Sequence, residues 1–279
     1  MMSDIPLVSI GFDGYSLEGA AKGLAKTRSK SVILCAIDGF TKHVVPEETS
    51  EREWERAKMT LAENGLRFFG LFGHCNLSDD RDIPKLMKRM AFTRSLGGGY
   101  IDTNAGPKGS EEGFFKNLPR IVELAEELDL LVCLETHGDM LETGERAERI
   151  FKKVKSERVR ISYDPANVFF YTRGKTDPVS DISLAIEHIG MIHFKGVNVS
   201  ADGRRWGFPP ARKAAIRYDE LFGLLRRRAW KGLVAVELEE RFRFEEGKGW
   251  QIDPVWPEER VVRAYDEEIA YLNENLDWL

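Results

Sequence analysis

The chain has 279 residues, 42% hydrophobic and 31% charged, an ordinary globular mix long enough to bury a sizeable core. A net charge of −5 argues against a polyanion-binding protein, which needs a basic stripe to release counterions. No apolar run approaches the roughly 18 residues of a membrane span, and the short acidic start, Met1 to Pro6, lacks the apolar centre of a signal peptide.

Short apolar runs alternate with amphipathic stretches. Leu7 to Phe12 reads as a strand and Leu17 to Ala25 as a helix. Ser31 to Ile37 is a second strand. The helix after it spans Ser50 to Asn64, with Thr49 or Ser50 as its N-cap and Gly65 at its end. Leu66 to Phe72 is the third strand, followed by a helix from Asp82 to Ser95. Gly99 to Asp102 and the helix Glu111 to Leu128 form the fourth pair. Leu130 to Glu135 and Thr143 to Val154 form the fifth. Val159 to Tyr163 and Ile182 to His188 form the sixth. Met191 to Lys195 with Tyr218 to Arg228, then Leu233 to Leu238 with Glu258 to Asn275, complete eight strand–helix pairs.

Strands alternating with helices imply right-handed crossovers and a parallel sheet. Eight such units in a chain of this length predict one closed (β/α)₈ TIM barrel, a single domain over residues 1–279. The long connections, Gly196 to Arg217 and Glu239 to Pro257, then lie at the catalytic face. Cys35, Cys75 and Cys133 each sit within or at the end of an apolar run, with no CxxC. They read as reduced core thiols, and the expected location is the cytoplasm.

The strand ends carry the chemistry. The fifth strand runs into Glu135-Thr136-His137, the sixth into Asp164-Pro165-Ala166-Asn167. The seventh carries His193-Phe194-Lys195 and the eighth Glu237-Leu238-Glu239. Such polar residues are costly in an apolar core, yet they recur at the ends that converge on one mouth. Glu135, Asp164, His193 and Glu237 form a four-ligand set for one divalent ion. Its oxygen-rich character leans to Mn²⁺ or Mg²⁺, with Co²⁺ and Zn²⁺ open. Residues two apart on a strand share a face, so His137, Lys195 and Glu239 would join the ring as substrate contacts. His74, after the third strand, faces either the site or solvent, while His43 and His188 read as surface residues.

CLETHGD around Glu135, YDPAN at Asp164, MIHFKGV at His193 and VAVELEE at Glu237 resemble the xylose-isomerase-like barrel superfamily. Its members include sugar isomerases, ketose 3-epimerases, inosose dehydratases and the endonuclease IV type of repair enzyme. The resemblance spans essentially the whole chain and is strongest from Leu130 to Glu240. It implies Glu135, Asp164, His193 and Glu237 as metal ligands, with Glu135 and Glu237 moving the substrate proton. It also matches Lys195 to a lysine often following the histidine, and His74 to a histidine near the substrate or a second metal in some members. Many epimerases place a histidine where this chain has Asn167, which can bond a substrate hydroxyl but cannot carry a proton. The fourth strand ends Asp102-Thr103-Asn104 without the histidine of the repair enzymes, and no aspartate–x–histidine pair follows His193. Nucleic acid is therefore not an expected partner.

The expected activity is a metal-dependent sugar isomerase or epimerase that moves a proton alpha to a carbonyl through an enediolate. A lyase on a keto-sugar or inosose-type substrate is the alternative, and a non-enzymatic sugar-binding barrel the third reading. The partner is a small sugar or keto-polyol. Arg204 and Arg205 are candidates for pairing with a phosphate or carboxylate on it. The aromatic loops, with Trp206, Phe208, Phe242, Phe244, Trp250 and Trp256, suit either a cover over the sugar or a homo-oligomer interface.

Overall fold

The computed structural model describes residues 4–276 and 278, so the first three residues of the acidic start lie outside it. Among the described residues twelve strands run in chain order: β1 (Leu7–Val8), β2 (Ser31–Cys35), β3 (Arg67–Asn76), β4 (Tyr100–Asn104), β5 (Leu131–Glu135), β6 (Val159–Tyr163), β7 (Ile189–Phe194), β8 (Asn198–Val199), β9 (Arg205–Gly207), β10 (Leu233–Val236), β11 (Phe242–Glu245) and β12 (Gly249–Ile252). The first seven and β10 close into a parallel barrel, β1 pairing with β2 on one side and with β10 on the other. The expected (β/α)₈ barrel is thus the observed architecture. Strands covered on both faces read as continuous apolar runs, as in SVILC of β2, every residue of which is buried.

Nine α-helices lie among the described residues: α1 (Leu17–Leu24), α2 (Glu51–Glu63), α3 (Ile83–Ser95), α4 (Glu111–Glu127), α5 (Gly144–Phe151), α6 (Pro165–Tyr171), α7 (Pro178–Ala185), α8 (Tyr218–Arg227) and α9 (Glu258–Asn275). At the start of α2 the Ser50 amide donates to Glu53 Oε2 at 2.9 Å, and Gly65 (φ 66°) takes the left-handed turn beyond its end. No helix among the described residues is long and apolar enough to cross a membrane. All three cysteines are buried and unpaired.

Three segments depart from the expectation. The first strand stops at Val8, and Ser9–Phe12 forms a 3₁₀ turn. The cause is remote in sequence: the Tyr265 hydroxyl, on α9, donates to the Val8 carbonyl and accepts from the Gly11 amide at 3.0 Å. Its ring also fills the space a Cβ at Gly11 would need. Second, β3 continues through His74 to Asn76, beyond the expected Phe72. Third, the two long loops are not irregular. Strands β8, β9, β11 and β12 form an antiparallel sheet over the barrel mouth, in the order β12-β11-β9-β8. Its hairpins turn at Asp202-Gly203 and at Gly247, with both glycines at positive φ.

The sheet is pinned to the barrel by Arg241, 5% exposed. Its guanidinium donates to the carbonyls of Asp13, Asp253 and Pro254. Below, Glu268 of α9 accepts the Ala211 amide at 2.8 Å, and burial pushes its carboxyl up to about 7.

Two outcomes follow. Tyr265→Phe leaves a buried carbonyl and amide without their shared partner and should lower stability by about 1–3 kcal/mol in urea unfolding. Glu268 binds its proton more tightly folded than unfolded. Its contribution is therefore complete below the ordinary glutamate value near 4.5 and lost as pH rises to about 7. Glu268→Gln should match the parent near pH 4.5 and exceed it in stability above pH 7, with the gap growing by no more than ~1.4 kcal/mol per pH unit.

Candidate metal centre

Parallel closure brings four side chains together. Glu135 is the last residue of β5, Asp164 follows β6 directly, His193 is next to last in β7, and Glu237 follows β10. Each is at most 4% exposed, and one donor atom from each lies within 4.8 Å of the others. His193 Nδ1 is 2.9 Å from Glu135 Oε1, 3.5 Å from Glu237 Oε2 and 4.0 Å from Asp164 Oδ2. The ring's other nitrogen, Nε2, lies 2.7 Å from Ser162 Oγ. That contact orients the ring so that Nδ1 faces the carboxylates.

Asp164 works at two levels. Its Oδ1 accepts the Asn167 amide at 2.9 Å and so caps α6, with Pro165 at the first helical position. Its Oδ2 turns to the site, 3.0 Å from Lys195 Nζ, close enough for ion pairing but without hydrogen-bond alignment. Helix α6 lay unrecognised in the sequence, though aspartate followed by proline is a helix-start signal.

Lys195 is buried among three carboxylates: Asp164, Glu237 at 3.4 Å and Glu239 at 3.1 Å. Burial favours the neutral amine, but the charges of Asp164, Glu237 and Glu239 outweigh it and hold Lys195 protonated. The two glutamates of the set differ. Burial would raise Glu135, yet the hydrogen bond and charge of His193 win and hold it ionised. Burial pushes Glu237 well above the ordinary carboxylate range against the pull of Lys195. Burial also raises Glu239.

A cavity of about 330 Å³ opens above these groups, and His74, Asn104, His137, Asn167, Lys195 and Glu239 line it alongside Glu135 and Glu237. His74 therefore faces the site. Asn167 Nδ2 donates to Glu135 Oε1 at 3.2 Å, and His137 Nε2 lies 3.0 Å from the Tyr171 hydroxyl. Ile10, Ile37, Phe40 and Trp250 supply an apolar wall. Phe170, Trp206, Phe208 and Phe244 pack behind Trp250, so much of the loop aromatics' surface goes to holding the cover in place.

Two expectations fail. Arg204, in the turn between β8 and β9, and Arg205, the first residue of β9, are exposed and away from the cavity lining, because the hairpin directs them outward. His43, expected at the surface, is 9% exposed, with Nδ1 at 2.8 Å from Ser9 Oγ and Nε2 at 3.2 Å from the Phe12 carbonyl. Ser162 and Asp102 are among the residues of the site that the sequence did not single out as such. Each is a polar residue inside an apolar strand, and Ser162 shares the face of Asp164 two positions on.

The donors fit a divalent cation. Glu135 Oε2, Asp164 Oδ2 and Glu237 Oε2 are buried and have no hydrogen-bond partner. Such oxygens are costly unless a cation neutralises them. Three carboxylates and one imidazole suit an oxygen-preferring ion. Residues 11–264 match the family model described as xylose isomerase-like TIM barrel. The chain belongs to this family.

Several solved structures share the fold at low identity. The probable 3-DHS dehydratase involved in petrobactin synthesis from Bacillus anthracis is 18% identical, covering 97% of this chain and 98% of its own, at a TM-score of 0.69. D-psicose 3-epimerase from Clostridium cellulolyticum, solved with D-tagatose, is 15% identical over 98% and 99%, at 0.72. A xylose isomerase-like TIM barrel protein from Mycobacterium smegmatis, in complex with magnesium, is 12% identical over 96% and 98%, at 0.70. No curated protein matches the sequence.

Excess Mn²⁺ should raise the thermal midpoint, with EDTA reversing the gain; at a hundredfold excess over Kd the stabilisation is about 2.7 kcal/mol. Burial pushes Glu237 toward its protonated form and an ion would need its carboxylate, so uptake of the ion should release protons, measurable with an indicator dye.

Proposed function

We propose that the protein is a divalent-metal-dependent isomerase or epimerase of a small sugar or keto-polyol. One observation carries this reading: two glutamates, one aspartate and one histidine from four adjacent strands, with three buried oxygens lacking hydrogen-bond partners, beneath a sugar-sized cavity. Glu135, Asp164, His193 and Glu237 would hold the ion, Mn²⁺ being favoured by the donor set. When bound, it supplies Lewis-acid polarisation of a carbonyl, which acidifies the neighbouring C–H.

The chain's own residues do the rest. Glu135, held ionised, is suited to take the α-proton. Glu237, pushed toward its protonated form, is suited to return one. Lys195, Asn167 and His137 line the cavity as donors for carbonyl and hydroxyl oxygens. Phe40 and Trp250 offer apolar surface to the C–H face of a sugar ring and narrow the access of water.

The lyase alternative likewise needs one base and one acid: Glu135 would take the α-proton, and Glu239, paired with Lys195 and pushed toward its protonated form, would give a proton to the departing hydroxyl, which leaves as water.

The test is a panel of ketoses and keto-polyols incubated with the Mn²⁺-loaded protein in D₂O and followed by NMR. Solvent deuterium at a carbon next to the carbonyl, with loss of about 10²-fold or more in Glu237→Gln, supports proton transfer. An ultraviolet-absorbing unsaturated product selects the lyase. A sugar that stabilises the protein without exchange sinks the enzyme reading and leaves a binding barrel.

A further inference from the structure

The cavity over the four-ligand set continues past its own wall. Asn104 and His137 line it, and both also line an open groove of about 510 Å³, with Asn76, Gly106, Lys108 and Asp139. The two spaces meet at those two side chains.

The groove is shaped by main-chain bonds between its banks, the loops that follow β4 and β5. The Met140 amide donates to the Gly106 carbonyl at 3.0 Å, and the Gly106 amide donates to Asp139 Oδ2 at 3.4 Å. Asp139 Oδ1 accepts the Leu141 amide at 2.8 Å. Gly106 has a φ of 123°, and a Cβ there would collide with Asn76 and Ser78. Only glycine lets the first bank come so close to the end of β3. The groove is thus formed before any ligand arrives, which lowers the cost of binding one.

Its chemistry is neutral. Asp139 spends both oxygens on main-chain amides. Lys108 is paired with Glu142 at 2.6 Å. What remains for a ligand is amide and imidazole. The Asn76 Oδ1 accepts the Ser78 amide at 2.9 Å, which leaves its NH₂ group. Asn104 carries a donor and an acceptor, and His137, with Nε2 at the Tyr171 hydroxyl, keeps Nδ1. Exposed Pro107 adds an apolar ring to the lining. A few polar groups set against apolar surface make a small-molecule site. With its charges already paired, this one suits hydroxyl groups better than a phosphate or carboxylate.

We propose that the groove is an outer subsite for a second sugar ring, so that the substrate is a keto-sugar bearing a neutral glycosyl group. The reacting unit lies over Glu135 and Glu237, the glycosidic link passes Asn104 and His137, and the second ring lies along Pro107. The inference rests on the four-residue set being the reacting centre. Contacts to a ring remote from the reacting carbon can then be used to position that carbon.

The experiment gives the full-length, Mn²⁺-loaded chain five sugars. They are D-fructose, D-fructose 6-phosphate, and three disaccharides that carry a second hexose on different oxygens of fructose: turanose, lactulose and isomaltulose. Calorimetry gives Kd, and deuterium uptake from D₂O gives kcat/KM. At least one disaccharide should better fructose by ~10-fold in Kd, and in kcat/KM wherever exchange occurs. Pro107→Trp puts an indole into the groove and should cut the disaccharide-to-fructose ratio by ~10-fold. Lys108→Trp should do so from the next position. Both residues are exposed, so the fold should tolerate the change, which circular dichroism verifies. Tighter disaccharide binding without exchange supports the groove and removes proton transfer. Fructose handled as well as every disaccharide overturns the groove and leaves the proposed function standing. A preference for the sugar phosphate over every disaccharide also overturns it, as does a disaccharide preference unchanged in both folded variants. If none of the five binds or exchanges, the proposed function fails and the subsite goes with it.

Discussion

Desolvated carboxylates repel one another strongly because little water screens them, and the mouth of this barrel holds five. Much of the surrounding structure answers that repulsion. Lys195 is drawn into the cluster against its own desolvation and touches three of the five. His193 is gripped from both ends, by Ser162 behind and Glu135 in front, so its ring cannot turn away. The oxygens still lacking partners face one another and the cavity. A purely structural core would not accumulate such groups, since an apolar replacement of similar shape is commonly as stable or more so.

The parts of the site are coupled through single residues. Asp164 begins helix α6 with one oxygen and faces the cluster with the other. The helix it caps carries Asn167 onto Glu135 and Phe170 under the covering sheet. Disturbing that cap therefore moves a donor and an aromatic support together.

The barrel was legible because its strands are buried on both faces and announce themselves as apolar runs between amphipathic helices, as VILCAI and LLVCLE do. The gathering of Glu135, Asp164, His193 and Glu237 could be anticipated because closure carries strand ends to one place. What escaped depends on partners far along the chain. Nothing near Ser9 tells that Tyr265 will bend the first strand into a turn. The covering sheet joins Arg205–Gly207 to Phe242–Glu245 across the whole of α8 and β10, a pairing no local pattern records. Asp102 and Ser162 were readable as polar residues in apolar strands, but their partners lie on other strands. Arg204 misled because charge alone does not say which way a hairpin will turn its side chains.

The covering sheet has a consequence for how such a protein can diversify. Its strands come from two loops that follow β7 and β10, and Arg241 fastens the second of them to the Asp13 carbonyl near the start of the chain and to its own returning end at Asp253 and Pro254. Those bonds ask nothing of the side chains at either hairpin tip. Trp250, which faces the cavity, therefore sits on an exchangeable part. Lengthening, trimming or recolouring a hairpin would reshape the wall a substrate meets while the acid-bearing strand ends stay as they are, so selectivity and chemistry can evolve on separate pieces of the same chain.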